Sequence, residues 1–457
     1  MNLIFFFLAL LICGVFWFSL RLVSKPHKYV LLENTLAPQH IDDPAVHALV
    51  KSYRRRVMQM IAVFSVASLV FLFNLSDSIT ITLFFLHLFA LIGCGQLLLI
   101  HYIGKMRQLI ADKDWLLPID AVRIDTKVVQ EKNRNILPLV SLIPALLVMI
   151  ISCFFSYQLE DRTTTLLIGV INSLMLLLFV GLWWTIRNLP VRGVSGDSRI
   201  DQQINDLTKY YWSLMIVVLA TGISLLTSVP LFSLHAAGIW GTLMSYLFIL
   251  LTVGLIGATF VLLLRLRNKQ DQLLNQAKRP RYHGDDIYWR YGIYINPNDA
   301  RLFVPDRVGM NIGINLGKRS GQVISIATLI LLIGVMLIAI VPLYQLDFTP
   351  DALQAKITDE QVVFSAPITA KTVIPIDSIE EVALVDTIPT PIVKKIGTAT
   401  NDYATGSFLV DGQSARLYVD FQAPTFLKLR TKETIVYYTN KDPEKTIALY
   451  QQLIDQE

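Results

Sequence analysis

The side chains that carry most enzyme chemistry are thinly spread in this sequence. Two of the seven histidines, His40 and His47, share a loop with Asp42 and Asp43 and could hold a metal ion. Their spacing matches no recognised ligand pattern, however. No Ser–His–Asp or Cys–His arrangement can be singled out. The sequence therefore predicts no catalytic residues, no metal site and no cofactor, and we expect a protein that is not an enzyme.

The three cysteines give no sign of a redox or disulfide role. Each lies inside a different apolar block: Cys13, Cys94 and Cys153. A disulfide framework or a thiolate metal site needs paired or clustered cysteines. We expect these three to be small buried residues in helices.

A glycine repeat at residues 309–317 is another candidate for chemistry. Gly309, Gly313 and Gly317 are spaced four residues apart, and the sequence contains no phosphate-cradling glycine-rich loop. The repeat could cradle an anion or let helices pack closely. We expect it instead to let the chain turn and enter the apolar segment that follows.

Apolar blocks long enough to cross a membrane dominate the chain. Of its 457 residues, 53% are hydrophobic and only 16% are charged, against about 25% charged in soluble domains. The apolar residues come in blocks of roughly 20, the length that spans a hydrocarbon core of about 30 Å. Because the first block lacks a positive n-region and an Ala-x-Ala-like cleavage site, we interpret it as a retained span rather than a signal peptide. The sequence predicts eight spans, near residues 2–20, 57–75, 79–103, 137–155, 164–186, 212–232, 238–264 and 323–343.

Few polar side chains interrupt these blocks, and such groups are costly and often functional. His87 lies in the third span and Asn172 in the fifth, and both are predicted to make interhelical hydrogen bonds. The sixth span adds three hydroxyls: Thr221, Ser224 and Thr227. None of these groups is a carboxylate or a basic residue, which disfavours an ion-coupled transporter. A pathway for a neutral substrate, lined by Asn172 and the hydroxyls, stays open as the alternative.

Lys and Arg residues concentrate in every second loop. The loops after the first, third, fifth and seventh spans are basic, whereas residues 74–78 and 231–237 carry no basic residue and residues 157–163 carry only Arg162. Cytoplasmic loops are enriched in Lys and Arg and contact anionic lipid. We therefore predict a multi-pass protein of the plasma membrane, with its N-terminus and C-terminal domain outside.

The net charge of +5 is a sum of two unlike parts. The segment from Tyr344 onward has 10 basic and 16 acidic residues, a net charge of −6. The rest has 30 basic and 19 acidic residues, a net charge of +11, mostly in the predicted cytoplasmic loops. A nucleic-acid binder needs a basic soluble domain with a readable motif. We find none, and we expect membrane lipid rather than nucleic acid as a partner.

Two segments between the spans are long enough to fold at the membrane surface. In the first, residues 24–56, Asp43 before Pro44 predicts a helix that runs into the second span. The second, residues 265–321, is predicted to be a cytoplasmic loop within the transmembrane domain (residues 1–343). It begins as an extension of the seventh helix through Gln276 and breaks at residues 278–281. We expect short strands or extended chain on either side of its turn, Asn296-Pro297-Asn298-Asp299.

Residues 346–457 are predicted to form a separate β-rich domain. Asp411-Gly412 is a strong hairpin signal. Asp442 followed by Pro443 predicts the start of a closing helix. About seven strands capped by one helix is typical of a PH-like (pleckstrin-homology-like) β-barrel, joined here to an all-α membrane bundle. Alternation predicts strands at residues 361–365, 371–376, 379–386, 406–410, 414–421, 425–430 and 434–439.

Parts of the chain resemble known families. The stretch from residue 287 to 317 resembles a short domain of unknown function in membrane proteins of Gram-positive bacteria. The residues that carry this likeness are Tyr288, Trp289, Asn296, Pro297, Asp299, Arg301, Leu302, Phe303, Val304, Pro305 and Gly309. Weaker stretches, near residues 46–56, 123–127 and 200–212, are similar to membrane immunity and signalling proteins of the sporulation-delaying toxin system. The tail resembles a bacterial PH-like domain family.

Relatives usually carry a Pro-x-x-His-Phe-type motif where this sequence has residues 157–163, so any role of that motif is not implied here. The resemblances imply a membrane sensor, immunity or binding protein. An external PH-like domain would recognise an unknown protein or peptide ligand. The aromatic motif of residues 288–305 is a candidate for partner binding or for packing on the protein's own helix ends. A transporter or exporter component is the alternative.

Overall fold

The structure is a computed structural model that describes residues 2–120, 124–159, 162–234, 239–277, 282–358, 360–423 and 425–455. Two compact units make up the chain. The C-terminal unit comprises residues 1–11, 65–89 and 329–457. The central unit comprises residues 12–64 and 90–328.

Eight of the helices in the described part of the chain are long and apolar enough to cross a membrane, as the sequence predicts: α1, α3, α4 and α6 to α10. The helices are α1 (Asn2–Val23), α2 (Pro38–Ile41), α3 (Pro44–Ala67), α4 (Asp77–Asp112), α5 (Thr126–Gln130), α6 (Ile143–Leu159), α7 (Arg162–Asn188), α8 (Ser198–Leu234), α9 (Ile239–Leu274), α10 (Arg319–Phe348) and α11 (Pro443–Ile454).

Several of these helices continue past their apolar block or end inside it. Helix α4 runs to Asp112 because its backbone hydrogen bonding continues into charged sequence. Helix α3 ends at Ala67 and is followed by a 3-10 turn, residues 68–72, so this helical segment stops before the predicted residue 75. Helix α6 begins at Ile143 rather than Leu137, because Pro144 suits the first turn of a helix.

Two helix starts follow from Asx-Pro pairs that the sequence singles out. Helix α3 begins at Pro44, and the Asp43 carboxylate accepts a hydrogen bond from the backbone N–H of Ala45 at 2.8 Å. Helix α11 begins at Pro443, and Asp442 accepts from the backbone N–H of Glu444 at 3.1 Å. In both cases a side-chain oxygen satisfies an N–H that the first helical turn leaves unpaired.

Two small hairpins lie in the central unit. Strands β1 (Val30–Leu31) and β2 (Asn34–Thr35) form the first, within a segment where no strand is predicted. Strands β3 (Phe303–Pro305) and β4 (Ile312–Ile314) form the second. Before the turn at residues 296–299, where short strands or extended chain are expected, residues 285–289 form a 3-10 helix that buries Trp289, and residues 294–296 belong to no helix or strand. The break predicted at residues 278–281 lies outside the described residues.

In its described residues the C-terminal unit has nine strands in two sheets, so the predicted PH-like barrel is not closed. One sheet has the order β5-β6-β7 and the other the order β8-β12-β13-β11-β10-β9, with β11 and β13 parallel. The strands are β5 (Gln354–Thr358), β6 (Gln361–Ser365), β7 (Thr372–Pro375), β8 (Ile379–Val385), β9 (Ile392–Ala399), β10 (Tyr403–Val410), β11 (Gln413–Asp420), β12 (Phe426–Thr431) and β13 (Ile435–Tyr438).

Sequence patterning finds seven of these nine strands and misses β5 and β9. Both are edge strands. Natural sheets place charged and polar residues on their edges, and β9 carries Lys394, Lys395 and Gly397 where an interior strand would alternate. Edge strands β7 and β8 are nevertheless predicted, so composition decides: β5 has only two apolar residues, Ala355 and Ile357, and the lysines and glycine interrupt the pattern of β9.

The two sheets and helix α11 share one hydrophobic core. Phe364 of β6, Tyr418 of β11 and Tyr438 of β13 pack against one another, with the ring of Phe364 5.4 Å from that of Tyr438. Leu449 and Leu453 of α11 complete this core, as the amphipathic pattern of the predicted closing helix requires.

Candidate functional site

A charged cavity of about 130 Å³ lies in the central unit. A single water needs about 10–15 Å³ of such space, so this cavity is large enough for a small polyatomic ligand. Its walls come from four parts of the chain: the β1–β2 segment, the residues after α7, the start of α8, and the segment before α10. All four belong to the predicted basic loops.

The β1–β2 hairpin has an unusual backbone. Lys28, Tyr29, Leu32 and Glu33 all have positive φ, between 47° and 63°, although none of them is Gly, Asn or Asp. Left-handed conformations of such residues are uncommon and cluster at functional sites, where the surrounding structure holds them. This backbone turns the chain so that Lys28 and Thr35 both line the cavity.

Arg307 and Asp286 hold the tip of this hairpin. The Arg307 guanidinium is 8% exposed and lies 2.6 Å from a carboxylate oxygen of Asp286. It also donates to the backbone carbonyl of Glu33 at 2.8 Å and to the Thr35 hydroxyl. Asp286 in turn accepts from the backbone N–H and the hydroxyl of Thr35 at 3.0 and 2.7 Å. One ion pair therefore holds the turn and the second strand of the hairpin.

The base of the hairpin is held by α9. Arg267 donates to the carbonyls of Leu22 and Pro26, at 3.3 and 3.1 Å, and also to the carbonyls of Lys25 and Val308. Asp271 accepts from the backbone N–H of Lys28 at 2.9 Å and from the His27 ring at 3.0 Å. Burial lowers the pKa of His27 to about 4, so the ring is neutral at pH 7 and donates through Nδ1.

Four cations face the cavity, and two of them are already fully engaged. The Lys209 ammonium donates to the carbonyls of Ile186, Arg187 and Leu189 at 2.5, 3.0 and 2.9 Å. These three bonds use all the donors of an ammonium group and satisfy orphan carbonyls at the end of α7. Arg307 is engaged by Asp286 and the hairpin. Both groups therefore build the wall rather than offer free charge.

The other two cations, Lys28 and Arg192, lack a carboxylate partner. Among the described residues no carboxylate lies within 4 Å of either group, and the Arg192 guanidinium donates one long hydrogen bond, of 3.4 Å, to the Pro305 carbonyl. Burial, and next the charge of Arg192, lowers the pKa of Lys28 to about 8. Burial lowers the pKa of Arg192 to about 10, and Arg301 acts in the same direction. The lowered pKa values show that burial in the cavity disfavours the positive charges of Lys28 and Arg192.

Two carboxyl groups near the cavity are also perturbed. Burial raises the pKa of Asp306 to about 6 against the effect of backbone N–H donors from Asn311, Met310 and Gly309. Burial raises the pKa of Glu33 to about 8, while Arg307 opposes the shift. Glu33 is therefore protonated at pH 7, and among the described residues that line the cavity the acidic ones are Asp285 and Asp306.

The aromatic motif of residues 288–305 folds beside this cavity as a small self-contained core. Trp289 (3% exposed), Tyr294 and Val304 pack together, and Tyr288 lies against them. The Gln96 side chain of α4 donates to the Tyr291 carbonyl at 2.6 Å, so the motif also packs on a neighbouring helix of the central unit. The structure thus places these aromatic side chains largely inside the protein.

The polar residues of the motif shape its turn. Asp299 forms a bidentate pair with Arg301, with contacts of 2.5–2.9 Å, and accepts from the Tyr294 hydroxyl at 2.8 Å. Burial raises the pKa of Asp299, but the Arg301 hydrogen bonds outweigh it and hold the value at about 2. The Asn296 side chain donates to the Tyr294 hydroxyl at 3.1 Å. Pro297 follows in the turn.

Asn315, which the sequence analysis does not single out, organises this turn. It is fully buried, and its side-chain oxygen accepts from the N–H groups of Asn296 and Gly317 at 3.0 and 2.9 Å. Its amide donates to the Asn296 carbonyl at 2.8 Å. A Cβ at Gly317 would collide with the backbone of Asn296 and Pro297, which explains this glycine by close approach.

The end of the motif leads into the cavity. Phe303 and Pro305 belong to β3, which pairs with β4. Pro305 lines the cavity, and the next two residues, Asp306 and Arg307, bring their side chains to it. The motif therefore positions these two charged residues. Gly309 also needs its lack of a side chain, since its φ is +77° and a Cβ would lie 2.6 Å from the His27 ring.

The intramembrane candidates lie elsewhere. The Asn172 amide on α7 is 3.6 Å from the Cys153 sulfur on α6, an interhelical contact of the expected kind. The His87 ring packs edge-on against Phe71, with centroids 6.1 Å apart. Ser224 and Thr227 donate to carbonyls of their own helix. These contacts are structural and do not favour a substrate pathway through those groups.

The loop histidines also remain separate from the cavity. His40 stacks on Trp115 with ring centroids 4.3 Å apart, and His47 pairs with exposed Asp42 at 3.5 Å. No cluster of three or more His, Cys, Asp or Glu side chains that could hold a metal ion occurs in the described part of the chain.

Comparison with known proteins identifies one part of the chain. Residues 353–454 match the family described as a bacterial PH domain, which confirms the PH-like domain predicted for the tail. No curated protein and no solved structure matches the chain. The resemblance to immunity and signalling proteins stays a hypothesis, and the charged cavity lies outside the matched residues.

The residues at this cavity that sequence reasoning misses share one property. Lys28, Arg192 and Arg307 each belong to a loop whose basic residues are explained by membrane topology alone. Nothing in their local sequence separates them from neighbouring exposed cations such as Lys25 or Arg199. The available signal is position: Asp306 and Arg307 directly follow the Phe-Val-Pro end of the motif.

Proposed function

We propose that this chain is a non-enzymatic multi-pass membrane protein that senses or binds a ligand through its PH-like domain. The domain and the eight apolar helices define a membrane-associated protein. The recognition role is our inference. Its ligand class is a peptide, an envelope component or another membrane protein at the outer face of the plasma membrane.

The observation that carries this proposal is the link through Asp347, near the end of α10. Its carboxylate accepts from the backbone N–H of Ser78 at 2.9 Å, and its backbone carbonyl accepts from the Lys441 ammonium at 2.9 Å. Ser78 belongs to the first turn of α4, and Lys441 belongs to the PH-like domain just before α11. One residue thus joins the domain to the ends of two apolar helices.

This link gives a physical route from ligand binding to the helices. The Lys441 ammonium also lies over the Tyr403 ring, 5.8 Å from its centroid. Ser78 is fully buried, and so is Asp77. A ligand that moves the domain must therefore break or rearrange buried polar contacts at the start of α4. A two-state relay requires contacts that switch between discrete arrangements, and packed interiors are bistable in this way rather than continuously deformable.

The placement of the domain outside rests on the charge pattern. The turn that contacts Asp347, residues 74–78, has no basic residue, and Lys and Arg are concentrated in the alternate loops. Under the positive-inside rule the bare turn is extracytoplasmic. The domain that shares contacts with this turn then lies on the same side.

Protease digestion of intact cells tests this placement. Full-length protein carries a tag after Glu457, and a second version carries the same tag at the exposed residue Lys51 as a cytoplasmic control. We expect the C-terminal tag to be cleaved from outside and the Lys51 tag to be protected until the cells are lysed. Protection of both tags would contradict an external PH-like domain and would direct the search to cytoplasmic ligands.

The relay is tested separately by Asp347→Asn, which keeps the shape but weakens the contact with Ser78. Asp351→Asn, at an exposed carboxylate that pairs with Lys445, is the matched control. We expect faster hydrogen exchange at residues 74–80 in the first variant and wild-type exchange in the second. Equal exchange in both would show that Asp347 does not couple the domain to α4.

A further inference from the structure

The charged cavity of the central unit has a surplus of hydrogen-bond donors. The Lys28 ammonium has three donors, and no described residue accepts from it. The Arg192 guanidinium has five, of which one makes the long bond to the Pro305 carbonyl. The Tyr282 hydroxyl, which also lines the cavity, has no hydrogen bond to a described residue either.

The charges of the residues that line the cavity also favour a bound anion. Two of the four cavity cations are engaged: Lys209 donates to three backbone carbonyls, and Arg307 pairs with Asp286 and lies 3.7 Å from Asp285. Lys28 and Arg192 remain, and Asp306 is the other acidic side chain among the described lining residues. Asp306 is occupied by the N–H groups of Gly309 and Met310, at 2.7 and 2.9 Å. Burying a cation without a partner costs free energy, so a bound anion would stabilise Lys28 and Arg192 in this cavity.

We propose that this cavity is a binding site for an oxyanion of the phosphate class, either free or as a phosphomonoester headgroup. Lys28, Arg192 and Tyr282 come from three separate segments and therefore present donors from different directions. A tetrahedral oxyanion, with several acceptor oxygens, suits such donors better than a planar or monatomic anion does. Arg is particularly suited to phosphate because its donors form a rigid fork.

The strained hairpin explains how Lys28 is held for this role. Its left-handed backbone at Lys28 and Tyr29 is fixed by Asp271, which accepts from the N–H of Lys28, and by the Tyr29 hydroxyl, which donates to the Leu274 carbonyl at 3.0 Å. Arg192 follows Pro190 in the short segment between α7 and α8. Both cations are thus presented by backbone that the surrounding helices position, independently of the ligand.

This site is distinct from the recognition function proposed for the PH-like domain. It belongs to the central unit, and its test uses variants outside residues 353–454. The two proposals can therefore fail separately.

The experiment measures binding of inorganic phosphate to the full-length protein by isothermal titration calorimetry. The protein is held in a non-ionic detergent without lipid phosphate. Chloride at equal ionic strength serves as the reference, because charge screening alone changes with salt. The variants are Arg192→Gln and Lys28→Gln. Matched controls are Arg199→Gln and Lys25→Gln, which remove exposed cations from the same two loops.

We expect one saturable phosphate site in the wild type and in both controls. Loss of a charged donor should weaken binding about ten-fold or more in Arg192→Gln and Lys28→Gln. If these variants do not fold, Lys28→Arg and Arg192→Lys keep the charge. Arg192→Lys should still bind more weakly, because it lacks the fork. Equal affinity in all variants would overturn the assignment of the site.

A second arm separates the two sources of phosphate. The protein is placed in nanodiscs of phosphatidylcholine with or without phosphatidic acid, whose headgroup is a phosphomonoester. A thermal stabilisation by phosphatidic acid that disappears in Arg192→Gln, without binding of free phosphate, assigns the site to a lipid headgroup. If neither probe binds the wild type, the proposal is wrong and the cavity is only a solvated ionic layer.

Discussion

Two hairpins with two-residue turns, one in each unit, reach the same backbone geometry by different means. In the C-terminal unit, Asp411 and Gly412 join β10 to β11 with φ values of 49° and 76°. In the central unit, Leu32 and Glu33 join β1 to β2 with φ values of 47° and 59°. Both turns need positive φ at two positions, as type I′ turns do.

The difference lies in where the stabilising interactions come from. Asp-Gly adopts this turn with little strain, so the first hairpin is specified locally. Leu and Glu resist left-handed backbone at a cost of about 1–2 kcal/mol each. The second hairpin is therefore held by Arg307 and Asp286, about 250 residues away in the chain. Local strain of this kind persists only where distant contacts over-determine it.

Substitution of Arg307 removes the contacts that hold the β1–β2 hairpin from a distant part of the chain. Arg307→Gln leaves the half-buried Asp286 carboxylate beside a neutral partner, and removing one member of a buried ion pair costs about 3–5 kcal/mol. Hydrogen exchange with mass spectrometry should show faster opening of residues 27–36, with residues 403–420 unchanged. Arg199→Gln, at an exposed cation, is the control. Wild-type exchange of the hairpin in Arg307→Gln would show that the turn is stable without this ion pair.

A second effect tests the neighbouring motif, whose turn also depends on a residue distant in sequence. Asn315→Ala removes the acceptor of the Asn296 and Gly317 N–H groups and should cost about 1–3 kcal/mol. Exchange should accelerate at residues 294–300 and 315–318. Asn298→Ala, at an exposed side chain in the same turn, should leave these rates within two-fold. An equal effect of both variants would mean that Asn315 has no special role.

The locally specified hairpin should respond to a local change. Gly412→Ala places a side chain at φ +76° and should cost about 1 kcal/mol, since a non-glycine residue is strained there. No heavy atom would lie within 4 Å of the added Cβ, so the effect is conformational rather than steric. The same exchange measurement on residues 403–420 detects it. A neutral result would show that the Asp-Gly turn does not depend on glycine.

Glu33, in the turn between β1 and β2, should make the stability of the protein depend on pH. The pKa of Glu33 is raised to about 8 by burial, near Arg307, Asp306, Asp286 and Asp285. Between its unfolded pKa near 4.5 and its folded value, the unfolded state loses the proton and the folded state keeps it. Stability from this group is therefore complete below pH 4.5 and falls as pH rises to about 8.

Glu33→Gln mimics the protonated form and should remove this fall. We expect the variant to be more stable than the wild type at pH 8 and to differ little from it at pH 4.5. The midpoint of thermal unfolding in detergent, measured at both pH values, reports it. Glu433→Gln, at an exposed carboxylate, should change neither midpoint. A destabilised Glu33→Gln at pH 8 would show that the carboxylate is ionised and paired with Arg307.

Local sequence signals account for much of the fold. The Asx-Pro pairs at residues 43–44 and 442–443 mark helix starts, and Asp411-Gly412 marks a hairpin, because each signal acts within four residues. Strands β5 and β9 escape prediction because β5 has only two apolar residues and because the lysines and glycine of β9 interrupt its alternation. Strand counting also suggests a barrel, and only the pairing shows that β8 and β9 remain open edges.

The candidate site could not be predicted in the same way. The motif of residues 288–305 draws attention through its aromatic residues, yet Trp289 and Tyr294 are buried and Arg301 is paired with Asp299. Lys28 and Arg192, the two cavity cations with no carboxylate partner among the described residues, look like ordinary topology determinants. Whether a cation has a partner depends on which distant carboxylate the fold brings to it, and that property has no local signature.

The eight apolar helices, the position of the PH-like domain and the asymmetry of charge can be predicted from the sequence alone, because these depend on composition and on spacing over a few residues. The burial and pairing of the charged residues can be seen only in the folded structure. The same is true of the turn through Leu32 and Glu33. The physical reason is distance along the chain: Arg307, Asp286 and Asp271 act on the hairpin from more than 200 residues away, and their effect exists only once the helices have packed.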